Sequence, residues 1–177
     1  GEAMKYDLVL VSCCAKKKPG RHPAEHLYES QLFNATVAWA KRNGKAWAIA
    51  SAEYGIVSPC KIIESYDREL NTLDSQNRFG NLADSWLRSW HSVQGRRFNS
   101  LGGEKSVITG YYPYQVERKS IAIMAGAKYA SPILEHSARR SSLFSFMQPM
   151  QGLEIGNRLK FLKDAKANDQ TCQPTLF

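Results

Sequence analysis

The chain has 177 residues and a mass of 19.9 kDa, the size of a single domain that can bury a core without metal or disulfide staples. Its 43% hydrophobic content excludes a disordered chain away from the ends, and no apolar run approaches the roughly 20 residues that span a bilayer. A formal charge of +8 and a pI near 9.4 favour a polyanionic partner, because each phosphate neutralised by Lys or Arg releases condensed counterions.

Gly1-Glu2-Ala3 ahead of Met4 reads as a scar foreign to the fold, residues 4–165 as one α/β domain, and 166–177 as a polar tail. No basic-then-apolar leader precedes the first element. Lys5 to Ser12 carries the continuous apolar run LVLV, suited to a strand buried on both faces. The loop CCAKKKPGRHP follows, broken by Pro19, Gly20 and Pro23. Ser30 is placed to cap a helix with Phe33, Val37 and Ala40 on one face, ending near Asn43-Gly44. AWAIASA (46–52) reads as a second buried strand and EYGIVSP (53–59) as the loop leaving it.

Between about 74 and 92, Phe79, Leu82, Trp86 and Trp90 recur at the helical period, and such a stripe is core rather than a ligand site. SVITG (106–110) is expected to be a third strand, and PYQVERKSIAIMAGA (113–127) a helix with Pro113 in its first turn. A fourth strand is expected near 128–134. The alternation predicts a mostly parallel sheet of about four strands flanked by helices.

In such a sheet ligands gather at the carboxyl ends of the strands. Three loops fall there by sequence: SCCAKKKP, SAEYGIVSP and GYYPYQ. Lys16, Lys17 and Lys18 offer charge for phosphate; Tyr54, Tyr111, Tyr112 and Tyr114 offer stacking faces and hydroxyl donors.

HPAEH (22–26) matches the H-x-x-E-H zinc-protease pattern. That chemistry needs both histidines on one face of a continuous helix, and Pro23 inside the motif argues against it. No phosphate-binding loop, dinucleotide fingerprint or nucleophile elbow is present, so no metal or cofactor is expected. Cys13 or Cys14 could act as a nucleophile only with a base nearby, and a small buried hydrophobe is the plainer role for one of them. The four cysteines form no C-x-x-C pair, which fits a reduced, cytoplasmic setting. GLEIGNRLKFL (152–162) sets two glycines before a helical run, as in the second half of a helix-hairpin-helix that grips a DNA phosphate, with Arg158, Lys160 and Lys163 agreeing in charge; a tight turn before the last helix is the plainer reading.

IASAEYGIVSPCKIIESYDREL (49–70) resembles the YaaA/DUF6884-like group, in which a strand ends in a small pair, then a Tyr-Gly turn, an apolar pair, a Pro, more apolar residues and a Tyr-Asp or Tyr-Arg. Those positions here are Ser51-Ala52, Tyr54-Gly55, Ile56-Val57, Pro59, Ile62-Ile63 and Tyr66-Asp67. SCCAKKK, LYESQLF (27–33) and GLEIGNRLKFL are similar to the same group. The resemblance implies an α/β protein associated with DNA and with oxidative-stress protection, related to domains that accompany the modification of bases in DNA or tRNA and distantly like uracil-DNA glycosylases.

Beside the resemblance, the residues themselves suggest a chemistry. Gly55 allows a sharp turn that aims the Tyr54 ring over the sheet edge, and Tyr66-Asp67 lies far enough on to return to the same rim. A tyrosine to stack on a base and a carboxylate to assist its departure, or to position a water, suit N-glycosidic cleavage. Asp67, Glu53, Tyr54 and Tyr66 are the catalytic candidates, with a salt bridge or helix cap the alternative for each carboxylate. Ser12, Cys13, Tyr28, Ser30, Gly55 and Arg158 join Lys16, Lys17, Lys18, Tyr111 and Tyr112 as candidates for nucleic-acid contact.

The final QPTLF resembles the bacterial sliding-clamp-binding pentapeptide, in which Gln173 would enter one pocket and Leu176 and Phe177 fill an apolar one, with Pro174 limiting the entropy lost on docking. The expected partners are therefore DNA, with RNA as the variant, and a sliding clamp. The leading expectation is a DNA base-processing enzyme; the alternatives are a non-catalytic DNA-binding stress protein and an RNA-modifying enzyme.

Overall fold

The computed structural model describes residues 4–100, 117–140 and 142–164, and side chains are described in all of these but 95–100. Strand β1 (Tyr6–Ser12) lies mid-sheet, parallel to β3 (Gly44–Ser51) on one side and to β6 (Lys119–Met124) on the other. Strand β7 (Phe144–Met147) extends the sheet in parallel beyond β6, and the short β4 (Gly55–Val57) closes the other edge antiparallel to β3. The order is β4-β3-β1-β6-β7. The expected mixed α/β domain with a mostly parallel, helix-flanked sheet is present, with five strands in place of about four. A separate ribbon pairs β2 (Arg21–Pro23) with β5 (Ile62–Glu64).

Helix α1 (Ala24–Leu27) is a single turn, α2 (Gln31–Asn43) follows β1, and α3 (Leu73–Ser100) follows the β5 loop. Helices α4 (Ala127–Ser137) and α5 (Ile155–Lys163) follow β6 and β7. The sheet residues alternate between two cores, as the two-residue period of a strand requires. Val9, Val11, Ile49 and Met124 pack with Phe33, Trp39, Ala40 and Leu162 of α2 and α5. Leu8, Leu10, Ala48, Ile121 and Ile123 pack with Phe79, Leu87, Trp90, Ala130 and Ile133 of α3 and α4. Both faces of β1 are therefore covered, which explains its uninterrupted apolar run.

Ser30 caps α2 as its position suggested, its Oγ accepting from the Phe33 N–H at 2.9 Å. In α3 the buried stripe is Phe79, Ala83, Leu87 and Trp90, while Leu82 is 38% exposed, its Cβ beside Gly55. Three expectations are corrected. Residues 119–124, read within a helix, are strand β6, because KSIAIM continues the buried sheet beside β1. Residues 128–134, read as a strand, lie in α4, where Pro132 is tolerated inside the helix and buried. EYGIVSP is not all loop, since Gly55–Val57 forms the edge strand β4. SVITG, GYYPYQ and QPTLF lie outside the described residues. His22 sits in β2 and His26 in α1, so HPAEH does not form one helical face. Among the described residues Cys13 and Cys14 are free thiols. No helix among the described residues is long and apolar enough to cross a membrane.

Candidate functional site

The helix after β1 packs on one face of the sheet and the helix after β6 on the other. Two adjacent parallel strands whose connections leave to opposite faces open a crevice at their carboxyl ends, the place where open α/β sheets bind ligands. Here that crevice lies between the loops after β1 and β6. It holds a pocket of about 240 Å³ lined by Cys13, Lys17, Asp67, Glu69, Lys128 and Tyr129 with their neighbours.

The loop after β1 is docked firmly. Cys13 N donates to Ala50 O at 2.9 Å, Lys18 N to Leu27 O at 2.8 Å, and Glu29 N to Lys16 O at 2.9 Å. Lys17 also bridges Tyr28 in an antiparallel pair. This docking divides the three lysines. Lys17 turns to the pocket, its Nζ 3.1 Å from Ala15 O and 4.3 Å from the Tyr66 ring centroid. Lys16 and Lys18 line a separate open groove beside Tyr28 and Ser30.

Beneath the pocket a chain of hydroxyls joins the loops. Cys13 Sγ lies 3.0 Å from Tyr129 Oη, Tyr28 Oη lies 2.9 Å from Tyr66 Oη, and Ser51 Oγ donates to Tyr66 Oη at 2.9 Å. Burial pushes the ionisation of Tyr28, Tyr66 and Tyr129 well above the usual phenol range, and negative charge on Cys13 adds to the effect. All three stay protonated at neutral pH and remain hydrogen-bond donors. Burial likewise pushes the Cys14 thiol up, against the Ser30 hydroxyl and backbone bonds that favour its charged form.

The candidate catalytic residues separate. Gly55 has φ +76, the left-handed turn expected of it. The Tyr54 ring packs edge-on against Tyr66 with centroids 5.6 Å apart, and its hydroxyl donates to Glu64 O at 3.1 Å while accepting from Glu64 N at 3.3 Å. Tyr54 thereby clamps its own loop. Glu53 accepts from Arg68 Nε, and Arg78 Nη2 lies 3.8 Å from its other oxygen. Asp67 is exposed at the pocket rim, and its loop returns to the β1 end as the spacing suggested. Arg158, from α5, stands behind the pocket with Ser12 and Cys14 rather than beyond it. Gly152, at φ +81, makes the turn before α5, whereas Gly156 lies within the helix and Glu154 occupies the N-cap; a carboxylate there opposes a phosphate grip at that helix start.

Sequence reading missed Glu69, Lys128 and Tyr129. Lys128 Nζ donates to Asn71 Oδ1 at 2.9 Å, and Asn71 Nδ2 donates to Glu69, closing one side of the pocket. Lys128 and Tyr129 enter because β6 is a strand, and the signal was SIAIM followed by Ala125-Gly126, a buried run and a glycine at a helix start. Among the described residues no group of three or more His, Cys, Asp and Glu side chains could hold a metal ion.

Neither curated proteins nor solved structures gave a match. A family model described as a family of unknown function, DUF6884, matches residues 8–164, spanning β1, the crevice loops and α5. On that match, the chain belongs to the DUF6884 family.

Proposed function

We propose that this protein hydrolyses the N-glycosidic bond of a nucleoside within DNA, with the crevice at β1 and β6 as its active site. The observation that carries the reading is the meeting of Asp67, the rim carboxylate not taken up by Asn71 as Glu69 is, with Lys17, Lys128 and the protonated phenol of Tyr129 around a pocket of about 240 Å³. In such a reaction a water forms a bond to C1′ as the C1′–N bond breaks, and the electron pair leaves with the base. Asp67 accepts the water proton and offsets charge developing on the sugar; Tyr129 donates to the departing base; Lys17 and Lys128 favour the phosphates on either side. Glu53, held by two arginines, serves the loop instead, and Tyr54 and Tyr66 support the floor.

A formal charge of +8 supports a nucleic-acid substrate. The likeness to YaaA-type proteins supports the DNA setting, and Gln173, Leu176 and Phe177 supply the docking peptide for a sliding clamp. The test is incubation of the protein with duplexes, single strands and tRNA carrying normal and modified bases, followed by chromatography for released base. Asp67→Asn is expected to lower release at least about 100-fold, the scale of one general acid–base group. Binding without product, equal in wild type and Asp67→Asn, overturns the enzyme in favour of a DNA-binding protein; release from tRNA alone moves the substrate to RNA.

A further inference from the structure

Behind the pocket lies a second, smaller compartment of about 50 Å³, bounded by Ser12, Cys14, Ser30, Gly126 and Arg158. Cys13 and Cys14 line both compartments, so the two are neighbours. We propose that this compartment is a phosphate subsite and that the substrate enters as a phosphorylated nucleoside, free or within a strand. The proposal rests on the glycosidic reading of the larger pocket and deepens it: one substrate phosphate is held by Arg158 as well as favoured by Lys17 and Lys128.

Size and charge carry it together. The space admits one small group and no base. Arg158 is the sole charged residue of its lining, and no carboxylate borders it. Among the described residues none of the acidic side chains forms an ion pair with Arg158. Its Nε donates to Leu153 O at 2.8 Å, which fixes the plane of the guanidinium by a backbone bond. Nη1 then comes within 3.6 Å of the position a Cβ would take on Gly126. A half-buried guanidinium anchored at one nitrogen and lacking an acid is completed by an anion that accepts from the rest of the fork, and phosphate matches that geometry. Gly126 leaves the facing wall open, and α4 starts at that wall without a side-chain cap, so its first amides have no side-chain acceptor.

The experiment uses the full chain and calorimetric binding of inorganic phosphate, a nucleoside, its 5′-monophosphate and a short single strand. The monophosphate is expected to bind at least about tenfold tighter than the nucleoside, the scale of one bidentate contact. Arg158→Gln should erase that difference while leaving nucleoside binding unchanged, and Arg158→Lys should retain part of it. Gly126→Val, which keeps the charge and fills the wall, should also erase it. Lys160→Ala, which removes an exposed charge of the same helix, should change nothing. Arg158 dependence seen with the monophosphate identifies a free nucleotide, and dependence seen only with the strand identifies a backbone phosphate. Equal binding of nucleoside and monophosphate by the wild type, with no Arg158 effect on the strand, overturns the subsite. So does an equal loss in Lys160→Ala, which would show bulk charge alone. Arg158-dependent phosphate binding in a protein that releases no base would sink the glycosidic reading and leave the subsite standing.

Discussion

Tyr66 joins three loops through one oxygen. Its hydroxyl meets Tyr28 and Ser51, and its ring packs against Tyr54 while Lys17 lies over its face. Burial, and then charge on Cys13 and on Tyr28, raise its ionisation above the ordinary value of 10.0. A folded value above the unfolded one gives stability that is complete below pH 10 and is lost as pH rises beyond it. Absorbance titration of the phenols should therefore show Tyr28, Tyr66 and Tyr129 ionising only as the chain unfolds in alkali. Tyr66→Phe should cost about 1–2 kcal/mol at pH 7, because Tyr28 and Ser51 each lose a partner. It should also flatten the alkaline unfolding curve; independent titration of all three phenols in the folded protein would refute the network. A residue at this position was readable as a site candidate from the Tyr-Asp pair, but its role as a floor depended on contacts 15 and 38 positions away in the chain.

Helices α3 and α4 meet where Gly80 faces His136. A Cβ on Gly80 would overlap the imidazole ring, which Asn81 holds through a hydrogen bond of 3.1 Å to Nδ1. In an exposed helix Gly→Ala gains close to 1 kcal/mol. Here overpacking reverses the sign, and Gly80→Ala should cost about 1–3 kcal/mol in urea unfolding. Adding His136→Ala should restore the loss, and failure of that rescue would place the cost elsewhere. Element by element, α2 and β1 were legible because one periodicity and one cap decided them. β6 was not, since SIAIM is as apolar as a buried helical segment and Pro113 upstream suggested a helix start. Burial on both faces removes the alternation that would otherwise mark a strand.

Across the molecule, Asp7 ties the central strand to both neighbours. Its Oδ2 accepts from Ser120 N at 2.8 Å and from Ser120 Oγ at 3.1 Å, its own N–H donates to Ser120 Oγ at 3.0 Å, and Lys45 Nζ lies 3.1 Å from Oδ1. Burial opposes the charge, yet the Ser120 and Lys45 interactions outweigh it and hold the carboxyl below its ordinary 3.8. A depressed folded value gives stability that is present above pH 3.8 and lost as pH falls through the folded value. Asp7→Ala should accordingly cost about 1–3 kcal/mol at pH 7, much of it from the half-buried Ser120 donors left unpaired. The gap to wild type should narrow as pH falls below 3.8, which urea midpoints at the two pH values would read; a constant gap would assign the cost to packing alone.

The sequence by itself determined the α/β class, the buried central strand, the capped helix after it and the loops in which candidate residues fall, because these follow from local periodicity, caps and turns. Only the tertiary structure decided which candidates meet. Strand order sends the helices after β1 and β6 to opposite faces, and that alone opens the crevice where Cys13, Lys17, Asp67 and Tyr129 converge. It also turned Glu53 into an ion-pair partner and brought Arg158, far along the chain, behind Cys14. Those outcomes depend on pairings between distant strands, whose energies come from burial shared across the sheet and leave no local mark on the residues that form them.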